Sequence, residues 1–357
     1  MSAPTIPAAA PEAPVVPTRR TARVAVLGAS GYSGQEFVRL SLGHDGVQIA
    51  ALVSREHAGR PASELMPGVD ARAADLPVPV APDALAALFE DGAFDTLIGC
   101  LPHGAWRAYA AENAAWVGRL ERVIDLSQDF RDGAQGYAYG LPEAFRSALA
   151  GATRVANPGC YPTAATLALL PALERRWLEG GVSVTALSGV SGAGRAPALR
   201  TSFVELDGGA AIYKAGEEHA HVPEMARNFT RLAHGEKAAV AFVPMLTPMA
   251  RGILLTATAT LAHDVDPEEA LAAYAERYAD EPFVQVLDPG VWPETRAVRG
   301  SNRCDVTVTT VHGGRTLLAT AAIDNLVKGA AGTALQNLNL MLGWPEAWAL
   351  PVHGNPW

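Results

Sequence analysis

Apolar runs alternate with helical patterns through the first 160 residues of the chain. The apolar runs predict strands at about 23–28, up to residue 53, and at "FDTLIGC" and "ERVIDLS". Helical segments are predicted to begin at about Tyr32 and Ala105. Strands that alternate with helices are typical of a parallel, doubly wound sheet. We therefore expect an α/β unit in this half of the chain.

Alternation of apolar and polar residues dominates most strands predicted after residue 160. One helix with clear start signals interrupts them, "DPEEALAAYAERYADE", with Asp266 as the expected N-cap and Pro267 as its first residue. The predicted strands are "VSVTALSG", "KAAVAFVPML", "GILLTATATLA", "CDVTVTTVH" and "TLLATAAI". They indicate a mixed, largely antiparallel sheet in a second, α+β domain. The chain then closes with a helical run, "DNLVKGAAGTALQNLNLML".

Length and composition narrow the class of protein. The 357 residues are 49% hydrophobic and 18% charged, which predicts about two domains with sizeable cores. The formal net charge of −9 argues against nucleic acid or an anionic membrane surface as a partner. No apolar stretch is long enough to span a bilayer. A small anionic substrate is still compatible with this charge, but local arginines would have to bind it against the field of the whole chain.

The cysteines and the first residues bear on the cellular compartment. Cys100, Cys160 and Cys304 are widely spaced and form no CxxC pair, which argues against a disulfide framework and a structural zinc site. We expect no bound metal and a cytoplasmic protein. Residues 1–21 are rich in Pro and Ala and lack the order of a signal peptide, so we expect a disordered tail.

The first predicted strand runs into a glycine-rich turn, "GASGYSG". Gly28, Gly31 and Gly34 lie where a strand meets a helix, where glycines let the backbone approach a phosphate and helix N–H groups bind it. A tight turn without a ligand is the alternative. We favour a Rossmann-type dinucleotide site because the turn opens the domain. Its further expected contacts are Ser30, Tyr32 and Ser33.

The end of the second predicted strand discriminates between cofactors. An NAD site typically has Asp or Glu there to hold the ribose 2′-hydroxyl. This chain has Ser54 and Arg55 instead. A hydroxyl and a guanidinium suit a 2′-phosphate, so we predict NADP(H).

One cysteine stands at a sharp turn, "NPGCYPTA", directly before a helical run. A helix N-terminus lowers the pKa of a thiol, and the thiolate is the reactive form. We therefore expect Cys160 to have a lowered pKa if it is a nucleophile. The alternative is a small buried apolar side chain, which describes most free cysteines.

Two histidines in "EHAHVPE" are candidates for proton transfer. His219 and His221 are two residues apart, so in an extended segment they point the same way. A metal site would need further ligands, which the neighbouring sequence does not offer. An imidazole that shares the proton of a thiol makes that thiol a competent nucleophile. Surface histidines before a helix are the alternative.

Two loops stand at the ends of predicted strands. "LSGVSGAGR", with Ser191 and Gly192, could hold a phosphate or approach a nicotinamide, and a flexible turn is the alternative. "LPHG" follows the third strand, at the edge where open α/β sheets bind ligands.

Taken together, these motifs resemble one family. "GASGYSG", "LPHG", "DLSQDFR" with "YGLPE", "NPGCYPTA", "SGVSGAGR", "HAHVPE" and "AIDNLVKGAAGTALQNLN" occur in the order expected of N-acetyl-γ-glutamyl-phosphate reductases. This family belongs to the aspartate-semialdehyde dehydrogenase superfamily. The resemblance runs from about residue 23 to the end of the chain.

The resemblance implies a phosphorylating aldehyde dehydrogenase that works reductively in arginine biosynthesis. Cys160 would form a thioester, and NADPH would reduce it. His221 would be the acid/base, with His219 in reserve. The resemblance also implies a dimer or tetramer. Residues 22–159 and 324–357 would bind NADP(H), with Asn325 as a contact, and residues 160–323 would form the catalytic domain.

A substrate with a carboxylate and an acyl phosphate needs local positive charge. The candidates are Arg195, Arg251 and Arg107, and Asn157 could shape the phosphate or oxyanion pocket. Each arginine could instead be an ordinary surface residue.

Three other functions remain open at the level of sequence. A sister enzyme would act on α-aminoadipyl phosphate, and one methylene is worth only about 1–3 kcal/mol of discrimination. A cysteine hydrolase would use Cys160 and His221 without a cofactor. An NADP-sensing protein would need neither Cys160 nor His221 for its function.

Overall fold

The computed structural model describes residues 21–69 and 75–355. The predicted tail, residues 1–21, lies outside the described residues except for its last residue. Among the helices of these two ranges, none is long and apolar enough to cross a bilayer.

A parallel sheet organises the first half of the chain. In the described ranges its strands have the order β2-β1-β3-β4-β6-β5. They are β1 (Ala22–Leu27), β2 (Val47–Val53), β3 (Thr96–Gly99), β4 (Arg122–Asp125), β5 (Ala138–Tyr139) and β6 (Arg154–Ala156). The helices between them are α1 (Tyr32–Ser41), α2 (Ala62–Leu65), α3 (Leu85–Glu90), α4 (Ala105–Glu112), α5 (Ala114–Val117) and α6 (Pro142–Leu149). The strand order reverses at β1, so a crevice opens between the carboxyl ends of β1 and β3.

A mixed sheet organises the second half. Within the described part of the chain its order is β11-β12-β13-β10-β7-β9-β8. Its strands are β7 (Leu178–Ser188), β8 (Ala211–Ile212), β9 (Val240–Leu246), β10 (Ile253–Leu261), β11 (Val284–Val286), β12 (Cys304–Val311) and β13 (Thr316–Ile323). The pairs β7–β9 and β11–β12 are parallel, and the other pairs are antiparallel. The predicted combination of a Rossmann-type sheet and a largely antiparallel sheet is confirmed.

Further helices lie in the second half of the chain. They are α7 (Cys160–Glu174), α8 (Phe203–Leu206), α9 (Val222–Leu232), α10 (Pro267–Tyr278), α11 (Thr295–Val298) and α12 (Gly332–Met341), with a π-helical turn at Val327–Ala331 before the last. The helix α12 packs against α1 and α6, so the end of the chain lies beside the first sheet.

The helix α7 is the central element of the second core. Every residue from Tyr161 to Leu173 is buried, and a helix that is apolar all round must be covered on every side. It contacts β10 and β13 on one side and α9 on another. Its amino end, which carries Cys160, therefore lies where the two sheets meet.

Two predictions about helices have different outcomes. Asp266 does cap α10, since its side chain accepts the Glu268 N–H at 2.8 Å, and Pro267 begins the helix. The expectation of one helix between the later strands is wrong, because α9 is a second. Its buried residues include Met225 and Phe229, at helical spacing, so a signal for it was present in the sequence.

Candidate active site

The glycine-rich turn between β1 and α1 forms a backbone cradle. Gly28 has φ +88°, and a Cβ there would lie 2.5 Å from the carbonyl oxygen of Cys100. A Cβ on Gly34 would lie 2.5 Å from the Gly28 carbonyl oxygen. Gly31 begins α1 without a side-chain cap, so the first-turn N–H groups remain available to a ligand. The turn therefore fits the pyrophosphate of a dinucleotide. Ser30, Tyr32 and Ser33 lie in the same turn and stay predicted contacts.

The residues after β2 differ in exposure. Ser54 is buried, and its Oγ lies 3.2 Å from His57 Nδ1. Arg55 is exposed and follows the carboxyl end of β2, the strand that pairs with β1. A cation with access to solvent at this position suits the 2′-phosphate of NADP(H).

The glycine-rich loop after β7 lies against the turn after β1. Arg195 Nη1 donates to the Ser30 carbonyl oxygen at 2.9 Å. Asn325 Nδ2 donates to Ser191 Oγ at 3.0 Å, and its Oδ1 accepts the Gly252 N–H at 2.7 Å. The structure thus brings Ser191, Gly192 and Asn325 together, within reach of the turn that opens α1.

Cys160 is the first residue of α7 and is partly exposed. Gly159 precedes it in an extended conformation, and its carbonyl oxygen accepts the Thr163 hydroxyl at 2.9 Å. Gly329 lies directly behind the Cys160 side chain, because a Cβ there would approach the Cys160 Cβ to 2.7 Å. The side chain therefore has a fixed position between α7 and the π-helical turn.

Burial raises the pKa of the Cys160 thiol to about 11. The Tyr161 N–H at the helix end and the Arg131 guanidinium oppose this effect without overcoming it. The expectation of a lowered thiol pKa is wrong for this resting structure, because loss of solvation outweighs the helix end. Deprotonation of Cys160 thus requires a base.

His221 is the better placed of the two histidines to be that base. Its Nε2 lies 2.6 Å from the position that a Cβ on Gly159, the residue before Cys160, would occupy. Its Nδ1 is buried and has no hydrogen-bond partner among the described residues. Burial, Arg131 and His219 hold the pKa of His221 well below its usual value. The ring is therefore neutral at pH 7 and can accept a proton.

His219 is also neutral, but one of its two ring nitrogens already has a hydrogen-bond partner. Its Nδ1 accepts the His221 N–H at 3.1 Å, and this bond leaves the ring proton on Nε2. The ring meets Tyr161 and Phe242 edge-on, with centroids at 5.5 and 5.1 Å. Burial, followed by Lys214, lowers the pKa of His219 to about 4. Its contacts indicate that it orients the segment that carries His221.

Several residues of the site were not identified from the sequence. Arg131 and Glu224 form an ion pair with an N–O distance of 2.8 Å, and Tyr139 donates to Glu224 Oε1 at 2.6 Å. His103 of "LPHG" and the exposed Lys214 lie close enough to shift the pKa of His219. The available signal was position, since Arg131 and His103 follow the carboxyl ends of adjacent strands.

Three predicted substrate residues already have protein partners. The Asn157 side chain donates to the Ala330 carbonyl oxygen and accepts from Asn337 Nδ2, so it stabilises the turn. Arg107 donates to the Asp129 carbonyl oxygen and lies over the Phe130 ring.

Arg251 is paired with two buried carboxylates, those of Glu36 at 2.8 Å and Asp324 at 3.0 Å. Arg107 and Arg195 are instead both exposed, and the guanidinium of each donates one hydrogen bond to a backbone carbonyl oxygen. All three arginines stay predicted substrate residues.

Two family models match most of the chain. One is described as "Semialdehyde dehydrogenase, NAD binding domain" and matches residues 23–152. The other is described as "Semialdehyde dehydrogenase, dimerisation domain" and matches residues 160–325.

Curated relatives are similar over nearly the whole chain. An N-acetyl-gamma-glutamyl-phosphate reductase of Streptomyces clavuligerus is 43% identical, with 92% of this chain and 97% of the relative covered. That of Thermus thermophilus is also 43% identical, with 92% and 99% covered. Aspartate semialdehyde dehydrogenase II of Vibrio cholerae shares the fold, with a TM-score of 0.71 at 17% identity over 91% of this chain and 99% of that one.

The pKa of Cys160 predicts how the free thiol reacts. Below its pKa the thiolate fraction rises tenfold per pH unit, so iodoacetamide should modify Cys160 about ten times faster for each unit between pH 7 and pH 9. Rates are followed by mass spectrometry of the Cys160 peptide, with free cysteine as the control. A rate that levels off below pH 8 would contradict the raised pKa.

Proposed function

The chain belongs to the N-acetyl-γ-glutamyl-phosphate reductase family, and on this premise we propose how its own residues carry out the reaction. The reaction is the NADPH-dependent reduction of N-acetyl-γ-glutamyl phosphate to N-acetylglutamate 5-semialdehyde and phosphate, in arginine biosynthesis. The observation that carries the proposal is the position of the neutral His221 ring, whose Nε2 lies against Gly159, the residue directly before Cys160.

The first step is transfer of the acyl group to sulfur. His221 Nε2 takes the Cys160 proton, and the thiolate attacks the γ-carbonyl carbon. The C–S bond forms, the bond to the phosphate oxygen breaks, and the departing phosphate takes the proton from His221. N–H groups at the start of α7 stabilise the oxyanion, and donors of this kind contribute about 3–4 kcal/mol each.

The second step reduces the thioester. NADPH, when bound, supplies the hydride that turns the thioester into a thiohemiacetal alkoxide. The alkoxide re-forms the carbonyl group and expels Cys160 as thiolate, which regains a proton from solvent through His221. The glycine turn with Gly28, Gly31 and Gly34 would hold the pyrophosphate. Ser54 and Arg55 would hold the 2′-phosphate, and Ser191, Gly192 and Asn325 would face the nicotinamide.

The domain division and the assembly follow the same reasoning. We propose that residues 22–159 and 324–357 form the NADP-binding domain around residues 160–323, which the packing of α12 on α1 supports. The chain is a homo-oligomer, and we propose a dimer or tetramer. Leu199, Phe203 and Val204 support this, since these apolar side chains are 77–83% exposed in the part matched by the dimerisation model.

The function is tested by the reverse assay, because acyl phosphates are labile. N-acetylglutamate semialdehyde, NADP⁺ and phosphate should yield NADPH, followed at 340 nm, and omission of phosphate should abolish the signal. Cys160→Ser should remove turnover, since an alcohol is a far weaker nucleophile. Its NADPH affinity, measured by calorimetry, should stay within about twofold of wild type, which shows that the variant is folded. NADPH formation without phosphate would contradict the proposal and indicate a non-phosphorylating aldehyde dehydrogenase.

A matched pair of variants tests which histidine transfers the proton. His221→Asn should lower kcat by about 10²–10⁴-fold, the usual contribution of a general base. His219→Asn keeps an acceptor for the His221 N–H and should lower kcat by only about tenfold. Equal losses in steady-state kinetics, or a larger loss for His219→Asn, would reverse the assignment.

Arg55 tests the choice of cofactor. Arg55→Ala should raise KM for NADPH about tenfold, the value of a charge-assisted hydrogen bond at an exposed site, and leave KM for NADH unchanged. Arg60→Ala is the control, because Arg60 is also exposed and pairs with Glu64 on the same connection. A similar loss with both cofactors would contradict a role at the 2′-phosphate.

A further inference from the structure

We propose that Arg131 and Glu224 are a positioning pair that fixes the geometry of Cys160 and His221 and balances the charge around them. The inference rests on the proposed function, since it takes Cys160 and His221 as the reacting groups. Neither Arg131 nor Glu224 is needed to touch substrate or cofactor.

Glu224 connects the base to the nucleophile. It lies in the first turn of α9, three residues after His221. Its Oε1 accepts the Gly159 N–H at 2.9 Å and the Tyr139 hydroxyl at 2.6 Å. One carboxylate therefore ties the helix that follows the base to the residue that precedes the nucleophile.

Arg131 holds the other side of the same turn. Its Nε donates to the Asn157 carbonyl oxygen and its Nη1 to Glu224 Oε2, both at 2.8 Å. A Cβ on Gly159 would lie 2.7 Å from Arg131 Nη1 and 2.6 Å from His221 Nε2. The guanidinium and the imidazole thus converge on one glycine, and the turn between Asn157 and Gly159 is bonded at both ends.

The burial of the pair argues for a role beyond stability. The Arg131 and Glu224 side chains are 4% and 3% exposed. Taking two charges out of water costs much of what their attraction gains, so such a pair is a weak source of net stability. Its position around the turn before Cys160 indicates instead that it fixes the conformation of that turn.

The two charges act on Cys160 in opposite directions. Burial raises the pKa of Cys160 first; Arg131 then lowers it and Glu224 raises it. The other titratable groups that face the thiol are the Tyr161 and Tyr213 hydroxyls, and His221 also faces His219 and His103. Because the opposing charges are both present, removal of either one should move the thiol in a direction that is known in advance.

Two variants separate this role from simple stabilisation. Arg131→Met removes the cation, so alkylation of Cys160 by iodoacetamide at pH 8 should slow about tenfold, which corresponds to one pH unit. Glu224→Gln keeps an acceptor for Gly159 but leaves Arg131 uncompensated, so alkylation should become about tenfold faster. In both variants kcat should fall at least tenfold, because the ion pair that joins Arg131 to α9 is lost.

Two further variants guard against misfolding. Arg131→Lys keeps the charge and loses the bond to the Asn157 carbonyl oxygen, so kcat should fall while alkylation stays within about threefold of wild type. Asp305→Asn removes a comparable buried carboxylate, paired with Arg303 at 2.6 Å on β12, and should change neither kcat nor alkylation. Thermal unfolding reports the stability of each variant.

The outcomes distinguish this proposal from the proposed function. Alkylation shifts in the same direction, or no shifts, for Arg131→Met and Glu224→Gln would overturn the positioning pair. A loss of kcat as large in Asp305→Asn would also overturn it. Turnover by Cys160→Ser would instead overturn the proposed function, and the alkylation rates of the wild-type cysteine would still report on Arg131 and Glu224.

Discussion

Burial of the amino end of α7 is the constraint on which the site depends. An apolar helix in the centre of the second core brings Cys160 to the junction of the two sheets but removes water from its thiol. The thiol and His221 are therefore both neutral at rest. Charge separates only when the proton moves, so the enzyme needs a base in contact range and a turn that keeps it there. Gly159 and Gly329 follow from the same crowding, because neither position has room for a Cβ.

At the same junction, residues of the second sheet hold α1, the helix that follows the glycine-rich turn of the first sheet. Arg251, at the start of β10, pairs with Glu36 on α1 and with Asp324 after β13. Asn325, which follows Asp324, accepts a hydrogen bond from the Gly252 N–H and donates one to the Ser191 hydroxyl. The helix that opens the phosphate cradle is thus fastened to the strands that end beside Cys160. A hydride transfer depends on such fixed geometry between cofactor and acyl group.

Local chemistry was readable from the sequence, and non-local pairing was not. The glycine turn, the start of α10 and the cysteine turn each depend on residues within a few positions, so their patterns predicted them. Arg251 shows the limit. A lone arginine beside a glycine suggested an anion site, but its partners Glu36 and Asp324 lie 215 and 73 positions away. The thiol pKa failed for a similar reason, since the burial that raises it comes from elements packed around α7.

Fewer cations are available to an anionic substrate than the arginines in the sequence suggest. Arg251 is paired with Glu36 and Asp324, and Arg131 is enclosed beneath the cysteine turn. The exposed cations that remain are Arg107, Arg195 beside the cradle, and Lys214. Lys214 is close enough to the histidines to lower the pKa of His219, although burial lowers it more. In an acidic chain with a net charge of −9, a substrate with a carboxylate and an acyl phosphate depends on such local cations. The neutral pair of Cys160 and His221 then adds no charge of its own until the substrate is in place.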